Sequence, residues 1–194
     1  MKEKLDTSYY GVGINDSTTP VTQQVNGKTV LCKYYSVWKD MLKRCYDPLE
    51  LHRNPSYVGC SVDQEWHKFS VFRHWMSNQD YAGKQLDKDI LFPKNKIYSK
   101  DTCVFISKSL NLFMVECTRA RGPLPLGVSK ITNSKKFQAR CRNPFTKKSE
   151  YLGSFNTPEL AHLAWKSKKH EIALEYAKTE TDPRIIKALQ TRYK

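Results

Sequence analysis

Long hydrophobic runs are missing from this sequence of 194 residues. A helix that crosses a bilayer needs about 18 or more consecutive apolar residues, and no such stretch occurs here. The first residues, MKEKLDTSYYGVG, also lack the apolar segment of a secretory signal. Because 39% of the residues are nevertheless hydrophobic, the chain has enough material for a core. We therefore expect a folded cytoplasmic protein with no membrane partner.

Closely spaced cysteines are missing as well. The chain has six cysteines but no C-x-x-C pair, the spacing used by common zinc and redox motifs. We expect free and mostly buried thiols, as is usual in a reducing compartment. A zinc site remains open as an alternative, although its spacing matches no standard pattern. Its ligands would be Cys45, His52, Cys60 and His67.

Carboxylates are scarce, above all in the C-terminal part of the chain. The whole sequence carries 33 Lys and Arg against 19 Asp and Glu, a formal net charge of +14. Residues 121–194 hold 16 bases and 6 acids, and Glu150 is the only acid within 121–156. A dense positive patch attracts polyanions because their counterions are released on binding. The charge distribution indicates a nucleic-acid partner, while a merely solvated basic face remains the alternative.

The N-terminal part is predicted to form short strands and helices. Asn26-Gly27 predicts a tight turn, and the apolar spacing predicts helices over Tyr34–Cys45 and Trp66–Met76. Farther on, we expect a strand over Gln85–Leu91 and an extended segment ending near Tyr98. A helix is then predicted to begin at Ser99 or Asp101, since N-cap residues cluster there.

In the C-terminal part the apolar period changes to two. From residue 136 to 142, basic or polar side chains alternate with Phe137, Ala139 and Cys141, as in a half-buried antiparallel strand. A turn over 143–148, a strand over Ser149–Phe155, a helix capped by Thr157 and a final helix after Asp182 follow. The predicted organisation is a module over 1–118, a linker over 119–126, a module over 127–178 and a helical extension over 179–194.

The segment from Leu126 to Ala173 resembles the plant ethylene-response-factor (APETALA-type) DNA-binding domain. The resemblance rests on Gly127-Val128, Lys136-Phe137-x-Ala139-x-x-Arg142, Tyr151-Leu152-Gly153-x-Phe155 and Thr157-x-Glu159-x-Ala161-x-x-Ala164-Trp165. It implies a three-stranded antiparallel sheet, packed on one helix, that reads the major groove of double-stranded DNA. The sequence departs from the plant pattern at Ser129, Ile131 and Ser149, where arginines are expected, and at Arg140, where a glutamate is expected.

Residue by residue, the resemblance places Arg140, Arg142 and Tyr151 at DNA contact positions, with Lys130 and Lys136 close to others. Arginine pairs best with guanine and glutamine with adenine, so Arg140 and Arg142 are candidate guanine readers and Gln138 a candidate adenine reader. Four lysines of the positive patch would bind DNA phosphates, namely Lys135, Lys136, Lys147 and Lys148. A protein-binding or RNA-binding sheet is the alternative.

The segment from Tyr34 to Asn111 resembles the ββα-metal finger of the HNH homing-type endonucleases of bacteriophages. The matching blocks are Trp38-x-x-Met41-x-x-Arg44-Cys45, Tyr57-x-Gly59-Cys60-x-Val62-x-x-x-Trp66-x-x-Phe69, Leu86-Asp87-Lys88-Asp89-Ile90 and Tyr98-Ser99-x-Asp101-Thr102-Cys103-Val104-Phe105-Ile106-Ser107. The implied fold class is α+β, with an N-terminal ββα-metal (His-Me finger-like) module followed by the three-stranded sheet and its helix.

The finger resemblance implies a catalytic site for phosphodiester hydrolysis. Asp87 matches the metal-binding carboxylate and Asn111 the closing residue on the helix, which together would hold Mg²⁺ or a similar divalent cation. The position of the general-base histidine holds Lys88, and Asp89 follows as a second ligand or base. The other candidates for the base are His52, His67 and His74.

Together the two resemblances predict a phage-type DNA endonuclease of the host cytoplasm. The alternative is a catalytically inactive DNA-binding protein, a phage regulator or inhibitor of a host process, in which the finger survives as a scaffold. A third hypothesis is that the chain is an RNA-binding protein. The sequence does not indicate the oligomeric state.

Overall fold

A computed structural model describes residues 8–115 and 123–194 of the chain. It combines helices with small β-sheets, which confirms the mixed α and β character. The chain divides into two units, one ending at Ser107 and the other running from Lys108 to Lys194. This boundary lies before the predicted linker, of which residues 119–122 are outside the described ranges. In this division the helix after Ser107 falls in the second unit, and the boundaries of the predicted modules stay predictions.

Among its described residues, the first unit contains three two-stranded sheets and three α-helices. Two sheets are antiparallel, and the third pairs its strands in parallel. The elements are β1 (Thr22–Val25), β2 (Lys28–Leu31), α1 (Lys33–Tyr46), α2 (Pro48–Arg53), β3 (Ser61–Val62), α3 (Phe69–Ser77), β4 (Lys84–Asp87), β5 (Ile97–Tyr98) and β6 (Val104–Ser107). The antiparallel pairs are the β1–β2 hairpin and β4–β6, and the parallel pair is β3–β5.

Helix α1 supplies much of the core of the first unit. Its buried residues Tyr35, Trp38, Met41, Leu42 and Cys45 recur every three or four positions and so lie on one face. The Trp38 indole Nε1 donates to the carbonyl oxygen of Trp66 at 2.7 Å. The predicted helix over Tyr34–Cys45 is confirmed, and Asp47-Pro48 ends it and starts α2.

The predicted helix over Trp66–Met76 is interrupted. A 3₁₀ turn covers Gln64–His67, and α3 begins only at Phe69. The reason is a tertiary contact, because Ile14 donates its amide to the carbonyl of His67 and accepts the amide of Phe69 at 2.8 and 3.0 Å. These bonds hold Lys68 extended, and this separates the two helical pieces.

The prediction of a helix from Ser99 or Asp101 is wrong. Ser99 and Thr102 bond to each other across a turn, with the Ser99 amide donating to Thr102 Oγ1 at 3.2 Å. The β-branched and aromatic residues that follow form β6, which pairs with β4. The predicted strand over Gln85–Leu91 is likewise shorter, since it ends at Asp87.

In the second unit, the residues that the structure describes form a three-stranded antiparallel sheet and three α-helices. In chain order the elements are α4 (Lys108–Met114), β7 (Val128–Lys130), β8 (Phe137–Arg142), β9 (Ser149–Phe155), α5 (Pro158–Ala177) and α6 (Pro183–Thr191). Strand β8 lies in the middle. Thr157 and Asp182 cap α5 and α6 through side-chain bonds to backbone amides, and each helix begins with proline as predicted.

Helix α5 covers one side of the sheet and also contacts α4 and α6. Its buried residues include Ala161 and Trp165, and Ala139 and Cys141 of β8 are buried as well. Phe113 of α4 contacts Tyr176 of α5, with ring centroids 5.2 Å apart. The region predicted as a separate extension, residues 179–194, contributes buried side chains to this same unit.

The cysteines in the described ranges are free, and four of these five are buried, as predicted. Cys117 lies outside these ranges. Burial raises the pKa of the Cys45 thiol to about 12, so it stays protonated near neutral pH. None of the helices in residues 8–115 and 123–194 has the length and apolar character that a bilayer crossing requires.

Candidate nucleic-acid interface

The side of the β7–β8–β9 sheet that points away from the buried Ala139 and Cys141 is polar and basic. Strand register fixes its members, since directly paired residues share a face. Gln138 lies opposite Ser129 and Ser154, Arg140 opposite Tyr151, and Arg142 opposite Ser149. We call these seven residues the outer face: Ser129, Gln138, Arg140, Arg142, Ser149, Tyr151 and Ser154.

A β-bulge in β9 assembles the outer face. The register shifts between Ala139 and Arg140, which pair with Gly153 and Tyr151, so that Leu152 is the extra residue. Simple alternation along β9 would put Tyr151 and Ser154 on opposite sides of the sheet. The bulge restores both to the same side, because the extra residue shifts the alternation by one. Tyr151 is consequently exposed beside Arg140.

Two contacts order the side chains of the outer face. Gln138 Nε2 donates to the hydroxyl of Ser129 at 3.1 Å, which fixes the orientation of the amide. The Arg140 guanidinium lies 5.5 Å from the centroid of the Tyr151 ring, within the range of a cation–π contact. A side chain held in this way loses less conformational entropy when it binds a partner.

No carboxylate belongs to the outer face. Glu150 pairs with Cys141 and therefore lies on the helix side of the sheet. There it accepts from Asn143 Nδ2 at 2.7 Å and approaches Lys168 of α5 at 3.1 Å. The hydrogen bonds from Asn143 and Lys168 lower the pKa of Glu150. The one acid of this basic region thus stabilises the sheet against the helix, and the outer face keeps its positive potential.

The lysines assigned to phosphate contacts lie at the two ends of β8. Lys135 and Lys136 are exposed just before the strand, and Lys147 and Lys148 are exposed in the turn that follows it. The six residues of β8 span about 17 Å, so the two lysine pairs flank the outer face at opposite ends. Lys130 differs from the expectation, because it pairs with Phe137 and therefore lies on the helix side of the sheet.

The candidate catalytic residues of the first unit surround a loop after β4. Asp87 Oδ1 accepts the backbone amides of Asp89 and Ile90 at 2.9 and 2.7 Å, and these bonds turn the chain at the end of the strand. Burial raises the pKa of the Asp87 carboxyl, and the two amides offset part of that increase. The local role of Asp87 is that of a turn-forming carboxylate.

Lys88 is buried, with an exposed fraction of 4%, and all three of its ammonium protons can be accounted for. Lys88 Nζ donates to both carboxylate oxygens of Asp89 at 2.8 Å and to the carbonyl oxygen of Asn95 at 2.7 Å. Asn95 Nδ2 in turn donates to the carbonyl of Lys88 at 2.9 Å. An ammonium bound in this way has no lone pair with which to accept a proton from water.

The residues around Asp87 fit a catalytic divalent cation poorly. Such an ion takes several oxygen ligands, yet the Asp89 carboxylate is already neutralised by Lys88. Within the described ranges no group of three His, Cys, Asp or Glu side chains is arranged to hold a metal. Asn111, the predicted second ligand, lies on α4.

The remaining histidine candidates are spread over the first unit. His67 Nε2 lies 3.1 Å from the carbonyl oxygen of Val62, and His52 lies in the last turn of α2. His74 is exposed on α3. Asn95, which holds the Lys88 loop together, was not among the sequence candidates, because an asparagine in a turn gives no signal of such a role. Ser154 of the outer face was not a candidate either, whereas Ser129 and Ser149 occupy positions where the family resemblance expects arginines.

Comparisons with protein-family models, with curated proteins and with solved structures find no match to this chain. The two resemblances noted in the sequence therefore stay predictions.

Proposed function

We propose that this chain is a double-stranded DNA-binding protein that reads base sequence with the outer face of its C-terminal sheet. The observation that carries the proposal is a carboxylate-free face on which Gln138, Arg140 and Arg142 follow one another along β8. These side chains have the donor and acceptor geometry that distinguishes purines in the major groove. The proposal includes the predicted ethylene-response-factor-like packing of three strands on one helix.

The dimensions of the sheet suit this role. Neighbouring strands lie about 4.8 Å apart, so three strands measure about 10 Å across, against about 12 Å for the major groove. The lysine pairs beyond the ends of β8 are available to phosphates on either side of the groove. Phosphate contacts of this kind give affinity and register, and base contacts give specificity.

Alanine at Arg140 or Arg142 is expected to weaken binding to the preferred duplex by about 1–3 kcal/mol each, since each removes a bidentate contact to a base. The preferred duplex is first selected from a random pool, and affinities are then measured for selected and scrambled DNA. The expected loss is larger on the selected DNA, because the scrambled DNA makes only phosphate contacts. The matched control is Arg53→Ala, which removes an exposed arginine from α2 in the first unit.

Equal losses on both DNAs would mean that the two arginines touch only phosphates, and this would remove sequence reading from the proposal. A chain that prefers single-stranded RNA over duplex DNA in direct competition would instead be an RNA-binding protein.

We expect the chain to bind duplex DNA without cutting it. The physical reason is that the Lys88 ammonium already donates to Asp89 and to the carbonyl of Asn95, so the residue at the general-base position does not act as a base for water. The measurement is the conversion of supercoiled plasmid to nicked circles in Mg²⁺ or Mn²⁺ over several hours.

Endonuclease activity is the competing prediction, and it is favoured by the antiparallel β4–β6 pair, which leads directly into α4. Nicking by the native chain that disappears in Asp87→Asn but persists in Asp63→Asn would establish the endonuclease. Asp63 is a suitable control because it is another turn-forming aspartate of the same unit, which accepts the amide of Glu65 at 2.9 Å.

A further inference from the structure

The β1–β2 hairpin of the first unit is exposed along its entire length. All eight of its strand residues are exposed, and the turn at Asn26-Gly27 has the positive φ angles of 50° and 73° that favour a two-residue hairpin connection. Val25, Val30 and Leu31 keep 43%, 42% and 39% of their surface exposed. An isolated two-stranded hairpin is only marginally stable in water, so an exposed one with apolar side chains is a candidate for binding a partner.

A cleft of about 540 Å³ opens at the base of this hairpin. Thr18 and Thr19, which precede the hairpin, and Tyr34, which follows it, line the cleft together with Arg73 and His74 of α3. The guanidinium of Arg73 donates to Thr19 Oγ1 at 3.1 Å and lies 5.8 Å from the centroid of the Tyr34 ring. Among the described residues, Arg73 forms no ion pair.

The charge of the hairpin and the cleft has one dominant sign. Residues 17–39 contain three lysines and no carboxylate. The acid that lines the cleft, Asp16, accepts the amide of Ser70 at 2.8 Å and its hydroxyl at 2.6 Å. A guanidinium without a carboxylate partner, surrounded by hydroxyl groups, is suited to a phosphate oxygen.

We propose that the β1–β2 hairpin and the cleft at its base form a second DNA-binding surface, located on the first unit. The hairpin enters a groove of the duplex, and Arg73 binds a phosphate beside it. A two-stranded β-ribbon fits the major groove, and Gln23 and Lys28 share one face of this ribbon. Charge favours DNA over a second copy of this chain, because two copies would bring like charges together. The inference rests on the proposed function, since it takes duplex DNA as the partner.

The test uses the full chain with Lys28→Ala, Arg73→Ala and the double variant, all at exposed positions. Hydroxyl-radical footprints and affinities over a range of salt concentrations are recorded on the selected duplex. Each substitution is expected to reduce the slope of log K against log salt by about 0.9, as for one lost phosphate contact. The double variant should bind about tenfold more weakly and lose one block of the footprint. The control is Lys94→Ala, at an exposed turn of the same unit, which should leave the salt slope and the footprint unchanged.

A double variant with the native salt slope and the native footprint would overturn the inference. So would a native chain that is dimeric without DNA and becomes monomeric on Val25→Ser and Val30→Ser, because the hairpin would then bind a second copy. If the proposed function itself is wrong, the observation differs, because Arg140→Ala and Arg142→Ala would then leave the whole footprint unchanged. If the hairpin block alone survives in those variants, both surfaces bind DNA independently.

Discussion

Replacing Gly127 by alanine is expected to destabilise the C-terminal unit by about 2–5 kcal/mol. Gly127 has a φ of +75°, and a Cβ atom there would collide with the indole ring of Trp165. Alanine therefore adds the cost of a left-handed backbone to the cost of displacing a buried indole. Since a domain is stable by only about 5–15 kcal/mol, a large part of the stability of this unit would be lost.

Hydrogen exchange read by mass spectrometry separates the two units. Peptides from residues 137–155 should lose protection in Gly127→Ala, and those from 35–45 should not. The matched control is Gly83→Ala, at a φ of +70° with no atom within 4 Å of the added carbon, where we expect about 1 kcal/mol in the first unit. DNA affinity should fall in Gly127→Ala and stay unchanged in Gly83→Ala. Native protection of residues 137–155 in this variant would show that Trp165 moves aside at little cost.

Replacing Asp89 by alanine is expected to cost about 2–4 kcal/mol, because it leaves the ammonium of Lys88 buried without its carboxylate. The carbonyl of Asn95 would be its remaining acceptor. This expected loss of stability is smaller than for a fully buried ion pair, because the Asp89 side chain is itself 45% exposed. Water can therefore approach the vacated position and solvate the ammonium in part.

The exposed Lys84–Asp80 pair, at 2.7 Å, provides the control. The side chain of Asp80 is 73% exposed, so Asp80→Ala should cost at most about 1 kcal/mol. Urea unfolding followed by the tryptophans of the first unit measures both variants. The double variant Lys88→Met with Asp89→Ala should be more stable than Asp89→Ala alone, since it removes the unpaired charge. Equal losses for Asp89→Ala and Asp80→Ala would mean that Lys88 reaches solvent.

In the predicted finger the position of Lys88 belongs to a general base, and the sequence offers no reason to assign Lys88 another role. The structure places its ammonium between Asp89 and Asn95, where it holds the loop closed. A residue that matches a catalytic position by sequence can thus be explained by the local stability it provides.

Local sequence patterns were sufficient for several elements of the fold. The spacing of apolar residues predicted α1, and the period of two predicted β8, because the periodicity of a helix or strand sets which of its residues are buried. The caps Thr157 and Asp182, each followed by proline, predicted where α5 and α6 begin. The excess of bases over acids in residues 121–194 follows from composition alone.

Tertiary structure decided what depends on partners distant in the chain. The amide and carbonyl of Ile14 interrupt the helix predicted over Trp66–Met76, and pairing with β4 makes Val104–Ser107 a strand. The bulge at Leu152 brings Tyr151 beside Arg140, and the register moves Lys130 to the other side of the sheet. The sequence by itself therefore determined that a basic sheet exists, while strand register and one extra residue decided which side chains share its outer face. The physical reason is that alternation has a period of two, so a shift of one residue exchanges the faces of a strand.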